Sequence, residues 1–166
     1  MNEILVEAFR HKLWAMKTLI AACQGRPIEE LTRPGPRYGS ILSTLNHIVL
    51  ADAGYLASLG AGRADWASHD NETSDLRELA ARADESGARW ERFLQEPIDG
   101  ERLVYLDEGT YETHASVVVI QALHHVSAHA EQACACLKAL GAPVPDLQPW
   151  ELADTTGRSR WLRPNG

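Results

Sequence analysis

The strongest constraint on the fold is a stretch of twenty residues, Gln121 to Leu140, whose small and apolar residues recur with helical spacing. Gly141 follows directly, and glycine at that position is a common helix end. The stretch, with the residues just before it, therefore predicts one long helix. A single face of this helix, mostly apolar or small, is expected to look into a protein core. The residues on that face are Val118, Ala122, His125, His129, Gln132, Cys136 and Leu140.

Two histidines, His125 and His129, lie one turn apart on this inward face. Histidines at i and i+4 can direct two ring nitrogens at one metal ion, so the spacing is typical of a metal site. A pair of hydrogen-bonded core histidines would have the same spacing, and no HExxH or CxxC motif accompanies the pair. The spacing alone therefore leaves both interpretations open. Cys136, two turns further along the same face, is interpreted as a small core residue.

Composition excludes several classes of protein. A chain of 166 residues is expected to form one domain and to bury a core without covalent cross-links. Its net charge of -7 argues against a nucleic-acid-binding protein, which would present a basic face. No apolar run is long enough to span a membrane, and the first residues do not resemble a secretion signal.

The three cysteines do not make a disulfide framework. Cys134 and Cys136 are two residues apart on a helix and face away from each other, so they are not expected to bond. Reduced thiols are typical of a cytoplasmic protein, which is the predicted location.

The rest of the chain predicts three more helices, a hairpin and a short final helix. Ser40 is the predicted N-cap of the second helix, and Thr73 or Ser74 that of the third. The fold class is therefore all-α, a four-helix bundle with a small β-hairpin between the third and fourth helices. The bundle domain is assigned to residues 1–155 and a basic tail to residues 156–166. The predicted helices are residues 2–24, 40–59, 75–95 and 115–140, the hairpin is 102–114, and the last helix opens at Pro149.

The helix face on which other polar residues lie indicates their roles. His47 falls off the apolar stripe of the second helix, on a face of small residues, Gly54 among them, that a neighbouring helix could approach closely. Asp52 lies on a different face and is interpreted as a helix-packing or dimer residue. Three further histidines are predicted to be surface, turn, capping or outer residues: His11, His114 and His124.

Three segments together resemble a known family. The first is Leu45-Asn-His47-Ile, followed by Asp52 and Tyr55; the second runs from His125 to Gln132; the third is Pro145-Asp-Leu-x-x-Trp150. Their order and spacing are similar to those of the DinB-like (YfiT-like) metal-binding four-helix bundles, and they span most of the chain.

The resemblance implies a bundle of up-down-down-up topology that holds a divalent ion, commonly zinc or nickel. By position, the implied ligands are His47, His125 and His129, so the resemblance turns His47 from a flank residue into a ligand. Homodimers are common in the family, and its members include transferases and isomerases that use small cellular thiols. Many members have a histidine before the last ligand and then Arg-Gly-Gln, whereas this chain has Ala128, Ala130 and Glu131 there and keeps Gln132.

Two functional hypotheses follow from these residues. Three neutral imidazoles leave an ion its full charge and an open position, the pattern of a catalytic rather than a closed structural site. The first hypothesis is therefore a metal-dependent enzyme that acts on a small molecule through a metal-bound thiolate or hydroxide. The alternative is a non-catalytic metal-binding, ligand-binding or stress-related protein whose ion is structural. A bundle without metal, its histidines packed as core residues, would be a third outcome.

Overall fold

A computed structural model of the chain describes residues 3–35, 39–67 and 71–162. Four long helices form the bundle, and a two-stranded antiparallel hairpin joins the last two of them. The helices are α1 (Glu3–Cys23), α2 (Ile28–Leu31), α3 (Ile41–Leu56), α4 (Leu76–Phe93), α5 (Ala115–Ala139) and α6 (Pro149–Thr155), and the strands are β1 (Leu103–Leu106) and β2 (Tyr111–His114). The predicted all-α class and the position of the hairpin are confirmed.

The helices run up, down, down and up. Successive contacts between α1 and α4 pair increasing residue numbers in α1 with decreasing numbers in α4, so these two helices are antiparallel. Numbers rise together along α3 and α4, which are parallel, and run oppositely along α3 and α5. The contacts that fix these directions pair Arg10 with Glu91, Lys17 with Asp84, Asn46 with Thr73, Asp52 with Ser86, His47 with His125, and Tyr55 with Gln121.

The helix ends follow their capping residues. Ser40 caps α3 as predicted, and its side chain accepts the backbone N–H of Ser43 at 3.1 Å in a capping box. The prediction for α4 was wrong by one or two residues, because Asp75 is the N-cap and accepts the N–H of Arg77 at 2.8 Å. A carboxylate is the stronger choice there, since it also faces the positive end of the helix dipole.

The hairpin is not free in solution but packs on one end of the bundle. Val104, in β1, is 2% exposed and joins the buried side chains of α1, α3, α4 and α5. Gly109 has a φ of +85° in the turn, a conformation that favours glycine. This packing supplies the support that an isolated two-stranded hairpin lacks.

Close helix approach occurs at Gly87 and not at Gly54. A β-carbon built on Gly87 would lie 2.4 Å from Leu13 Cδ2, so this glycine lets α1 and α4 come together. A β-carbon on Gly54 would meet nothing within 4 Å. The prediction of a close neighbour along the small-residue face of His47 was therefore wrong at Gly54 for the described residues, although the same face meets α5 at His47 itself.

An ion pair lies in the middle of the bundle. Lys12 Nζ donates to Asp52 Oδ1, and both side chains are almost fully buried. The carboxylate also accepts hydrogen bonds from Ser86 Oγ at 2.6 Å and Trp90 Nε1 at 3.1 Å. Burial lowers the pKa of Lys12, while the charge of Asp52 opposes that shift. Asp52 is thus a packing residue, as one of its two interpretations held, whereas the role of Lys12 was not predicted.

The cysteines and the termini complete the description. Cys23, Cys134 and Cys136 are buried and unbonded, as expected. Arg158, in the predicted basic tail, pairs with Glu7 of α1, while Trp161 is 93% exposed. The end of the tail, residues 163–166, lies outside the described residues. Within the described part of the chain, no helix has the length and apolarity that crossing a membrane requires.

Candidate metal centre

Three imidazole rings meet between α3 and α5. His47 comes from α3, and His125 and His129 come from α5. One nitrogen from each ring lies within 4.8 Å of the nitrogens of the other two. The closest pair is His47 Nε2 and His125 Nε2, at 2.9 Å. The structure therefore brings together all three histidines that the resemblance implied as ligands.

The antiparallel packing of α3 and α5 explains the meeting. The one-turn spacing of His125 and His129 places both rings over the same part of α3. His47 leaves α3 from the flank that helical periodicity assigned to it, and that flank faces α5. The flank position is compatible with the ligand role, since the site lies along the α3–α5 seam and not on the central axis.

The site opens to solvent on one side. His125 is 8% exposed, His129 is partly buried and His47 is exposed. The sequence predicted that the histidine face of α5 looks into the core, and this holds for His125. His129 and Gln132 lie at the edge of the buried surface of α5, so the centre is at the rim of the bundle.

The surroundings of His47 and His125 favour the uncharged form of these two rings. Burial lowers the pKa of His125 to about 4, and His129, His47 and His124 add smaller effects in the same direction. Burial and the neighbouring His129 also lower the pKa of His47, whereas the charge of Glu72 raises it. Neutral imidazole is the form that binds metal, so the electrostatics favour the ligand state of both residues.

The outer nitrogens of the two α5 rings have different partners. His129 Nδ1 lies 2.8 Å from Gln132 Oε1, and since an amide oxygen accepts, the proton belongs on Nδ1. The Nε2 lone pair of His129 is then free for the cluster. His125 Nδ1 is buried and has no hydrogen-bond partner among the described residues, and its ring meets that of Tyr55 edge to face at 5.5 Å.

The donor set fits a divalent ion such as zinc. Nitrogens that share a tetrahedral zinc at about 2.0–2.1 Å stand roughly 3.3 Å apart. The nitrogens of His47 and His125 are 2.9 Å apart, and all three lie within 4.8 Å of one another, so small shifts of the rings would bring them to that spacing. Without a cation, two facing Nε2 atoms at 2.9 Å need a proton on one of them. The cluster among the described residues contains no carboxylate and no thiol, so a fourth position is left for water or substrate.

The other candidate residues lie elsewhere, as the sequence predicted. His124 is exposed and does not belong to the ring cluster. Cys136 is 7% exposed and packs in the core next to Gly35. His11 Nε2 lies 2.8 Å from Leu147 O, and His114 Nδ1 lies 3.0 Å from Glu101 O, so both have structural contacts.

A large groove of the bundle does not adjoin the three rings. It is a groove of about 760 Å³ between α1 and α5, partly covered by the chain from Val144 to Pro149. Its α5 residues, among them Val126, Ala130 and Cys134, belong to the face of the helix opposite His125 and His129. The three histidines and this groove therefore lie on different faces of α5.

Comparison with protein families agrees with the geometry. The sequence model described as the DinB family matches residues 1–159, which is nearly the whole chain. No curated protein matches the chain. The family match extends four residues beyond the predicted domain end at residue 155 and includes Arg158, which contacts α1.

Proposed function

The chain belongs to the DinB family, and from this premise we propose that it binds one divalent metal ion through His47, His125 and His129. Zinc and nickel are the proposed ions, because imidazole nitrogen suits both. We further propose that the bound ion activates a small thiol or a water molecule against a small-molecule electrophile. The reaction would be thiol transfer, isomerisation or hydrolysis.

One observation carries the proposal. Three ring nitrogens from two helices converge within 4.8 Å of one another, and two of these rings have lowered pKa values. Ordinary packing supplies no reason to bring three imidazoles this close, because their nitrogens would compete for few protons. A shared cation satisfies all three lone pairs at once.

Each residue of the site has a defined task in this proposal. The three imidazoles hold the ion, and Gln132 fixes the tautomer of His129. The exposed side of His47 supplies the route by which a small molecule reaches the open position. When bound, the ion would act as a Lewis acid that lowers the pKa of a coordinated water to about 7 and deprotonates a thiol.

A non-catalytic ion is the second candidate, and the shape of the surface favours it. The groove of about 760 Å³ lies on the opposite face of α5, so it offers no substrate pocket beside the three rings. Ala130 also stands where many family members have an arginine, so an anchor for an anionic substrate is missing. In this alternative the ion would cross-link α3 to α5.

Metal analysis tests the shared part of both candidates. We expect native protein purified without chelator to hold close to one zinc or nickel ion per chain. His125→Ala and His129→Ala should each lose it, because two imidazoles bind far more weakly than three. His114→Ala is the matched control, since His114 contacts Glu101 in the hairpin region, and should keep the ion. Wild-type protein that binds neither ion at micromolar concentration would refute the proposal.

Activity measurements separate the enzyme from the binding protein. Transfer of a small thiol to a model electrophile, and hydrolysis of an activated ester, are measured with native protein, with chelator-treated protein and after metal is restored. A rate that falls with chelation and returns with metal supports catalysis. Equal rates in all three states would leave the structural ion as the better account. A cytoplasmic location and a homodimeric state stay predictions.

A further inference from the structure

The backbone around Glu72 is fixed by two buried polar side chains. Asn46, on α3, is 1% exposed, and its carboxamide makes a two-point contact with Thr73. The Oδ1 atom accepts the N–H of Thr73 at 2.9 Å, and Nδ2 donates to Thr73 O at 2.9 Å. These two hydrogen bonds resemble those between paired residues of neighbouring β-strands, so they fix both the position and the direction of the loop backbone.

The residue on the other side of Glu72 is held from α4. Arg82 is 5% exposed, and its guanidinium donates to Asn71 O. The same side chain pairs with Glu78, which accepts the hydroxyl of Thr73 at 2.7 Å. Asn71 and Thr73 are therefore anchored to different helices, and Glu72 is held between them.

These anchors present Glu72 beside the metal centre. Asn46 is the chain neighbour of His47, so the loop that it holds lies against the same turn of α3 that carries this ligand. Glu72 is itself exposed, as His47 is. The carboxylate of Glu72 raises the pKa of His47, in opposition to burial and to His129. Buried polar groups need partners, and here two of them are used to hold the residues that flank one surface carboxylate.

We propose that Glu72 is an outer carboxylate of the metal centre, held next to His47 by Asn46 and Arg82, and that it strengthens the binding of a divalent cation. It is not a ligand, because the ligand cluster among the described residues consists of the three histidines. A negative group just outside the ligands offsets the charge of the ion and raises the basicity of the imidazole. This inference rests on the proposed function, since it concerns the same site.

The first test compares two exposed carboxylates of equal charge. Zinc affinity is measured by competition with a chromophoric chelator for wild type, Glu72→Gln and Glu96→Gln. Glu96 is exposed beyond the far end of α4, so it controls for the change in net charge. We expect Glu72→Gln to bind zinc about tenfold more weakly, the lower end for outer partners of metal ligands. Glu96→Gln should bind like wild type.

The second test asks whether Asn46 acts through Glu72. Asn46→Ala keeps the carboxylate but frees the loop, so it should weaken zinc binding in the wild-type background. In the Glu72→Gln background the same change should weaken binding no further, because there is no carboxylate left to position. The visible spectrum of the cobalt-substituted protein should also shift in Glu72→Gln, which a change in stability alone would not cause.

The outcomes distinguish this inference from the function on which it rests. Wild-type protein that binds no zinc overturns both. Normal zinc binding that is equal in wild type and Glu72→Gln overturns the inference and leaves the three-histidine site intact. Equal weakening by Glu96→Gln, or additive losses in the double variant, would also overturn it, because net charge or general packing would then explain the effect.

Discussion

Burial affects the pKa of His125 more than any hydrogen bond that this residue makes. Within the described part of the chain its Nδ1 atom is buried without a hydrogen-bond partner, and its Nε2 atom faces another imidazole at 2.9 Å. A protonated ring there would be a poorly solvated cation close to two further histidines. This is why burial, the largest cause, lowers the pKa of His125 to about 4. His125 is therefore suited to be a ligand, and its protonation in acid is expected to destabilise the folded protein.

We predict that metal-free protein loses stability as the pH falls from about 6.5 toward 4. The ordinary pKa of 6.5 applies to the unfolded chain and about 4 to the folded one, so the unfolded state binds more protons in that window. The free energy of unfolding therefore decreases as pH falls through it and levels off below the folded pKa. Thermal unfolding of chelator-treated protein across this range measures the effect.

His125→Gln provides the comparison for that titration. The variant cannot gain a proton at this position, so its midpoint temperature should change less between pH 6.5 and pH 4 than that of the wild type. Parallel pH profiles for the two proteins would assign the acid sensitivity to other groups. Saturating zinc should raise the midpoint of the wild type at neutral pH and lose its effect in acid, because protons compete for the same nitrogens.

At the level of elements, the two glycines inside bundle helices have opposite surroundings. Gly54 in α3 has open space where a methyl group would be added, whereas Gly87 in α4 faces Leu13 across the contact with α1. The sequence pattern places Gly87 inside the predicted third helix and Gly54 on a face of small residues in the second. It could not say which of them a neighbouring helix approaches, because that depends on how the helices pack.

We predict that Gly54→Ala stabilises the protein by about 0.5–1 kcal/mol, the usual gain for alanine over glycine inside a helix. Gly87→Ala gains the same helix propensity but forces Leu13 to move, and overpacking costs about 1–3 kcal/mol. Urea unfolding followed by circular dichroism should therefore place Gly87→Ala below Gly54→Ala in stability. Equal stabilisation would mean that Leu13 repacks without strain and that the close approach is not required.

Helix boundaries were predictable where a long stripe met a strong end signal. The span of α5 and the Ser40 cap of α3 agree with the prediction to within a residue. Two elements were not predicted, namely the four-residue helix α2 and the π-helical turn from Ala57 to Ala61 that follows α3. Segments this short contain too few apolar repeats for periodicity to detect.

At the scale of the molecule, the sequence predicted the bundle and the ligands by different routes. Helical periodicity gave the bundle and the pairing of His125 with His129. It left His47 on a flank, and family resemblance was needed to bring it to the site. Lys12 and Glu72 gave no signal, because one lies within an ordinary amphipathic helix and the other in a polar loop. Their roles depend on Asp52 and Asn46, which are distant in sequence.

The buried pair of Lys12 and Asp52 supports a prediction about the whole bundle, since it links α1 to α3 and, through Ser86 and Trp90, to α4. Removing one partner of a buried ion pair leaves an uncompensated charge and costs about 3–5 kcal/mol. We expect Asp52→Asn to show this loss in urea unfolding, because the buried Lys12 then has no carboxylate to balance its charge, although it still contacts the faces of Phe9 and Trp90.

The double variant Lys12→Met with Asp52→Asn should recover much of that stability. It removes both charges, and the asparagine oxygen can still accept from Ser86 or Trp90. Zinc affinity of the double variant should equal that of the wild type, because Asp52 and His47 leave α3 on different faces. If the losses of stability in Lys12→Met and Asp52→Asn simply add in the double variant, the two residues are not coupled. A fall in zinc affinity at preserved stability would instead connect the interior pair to the metal centre.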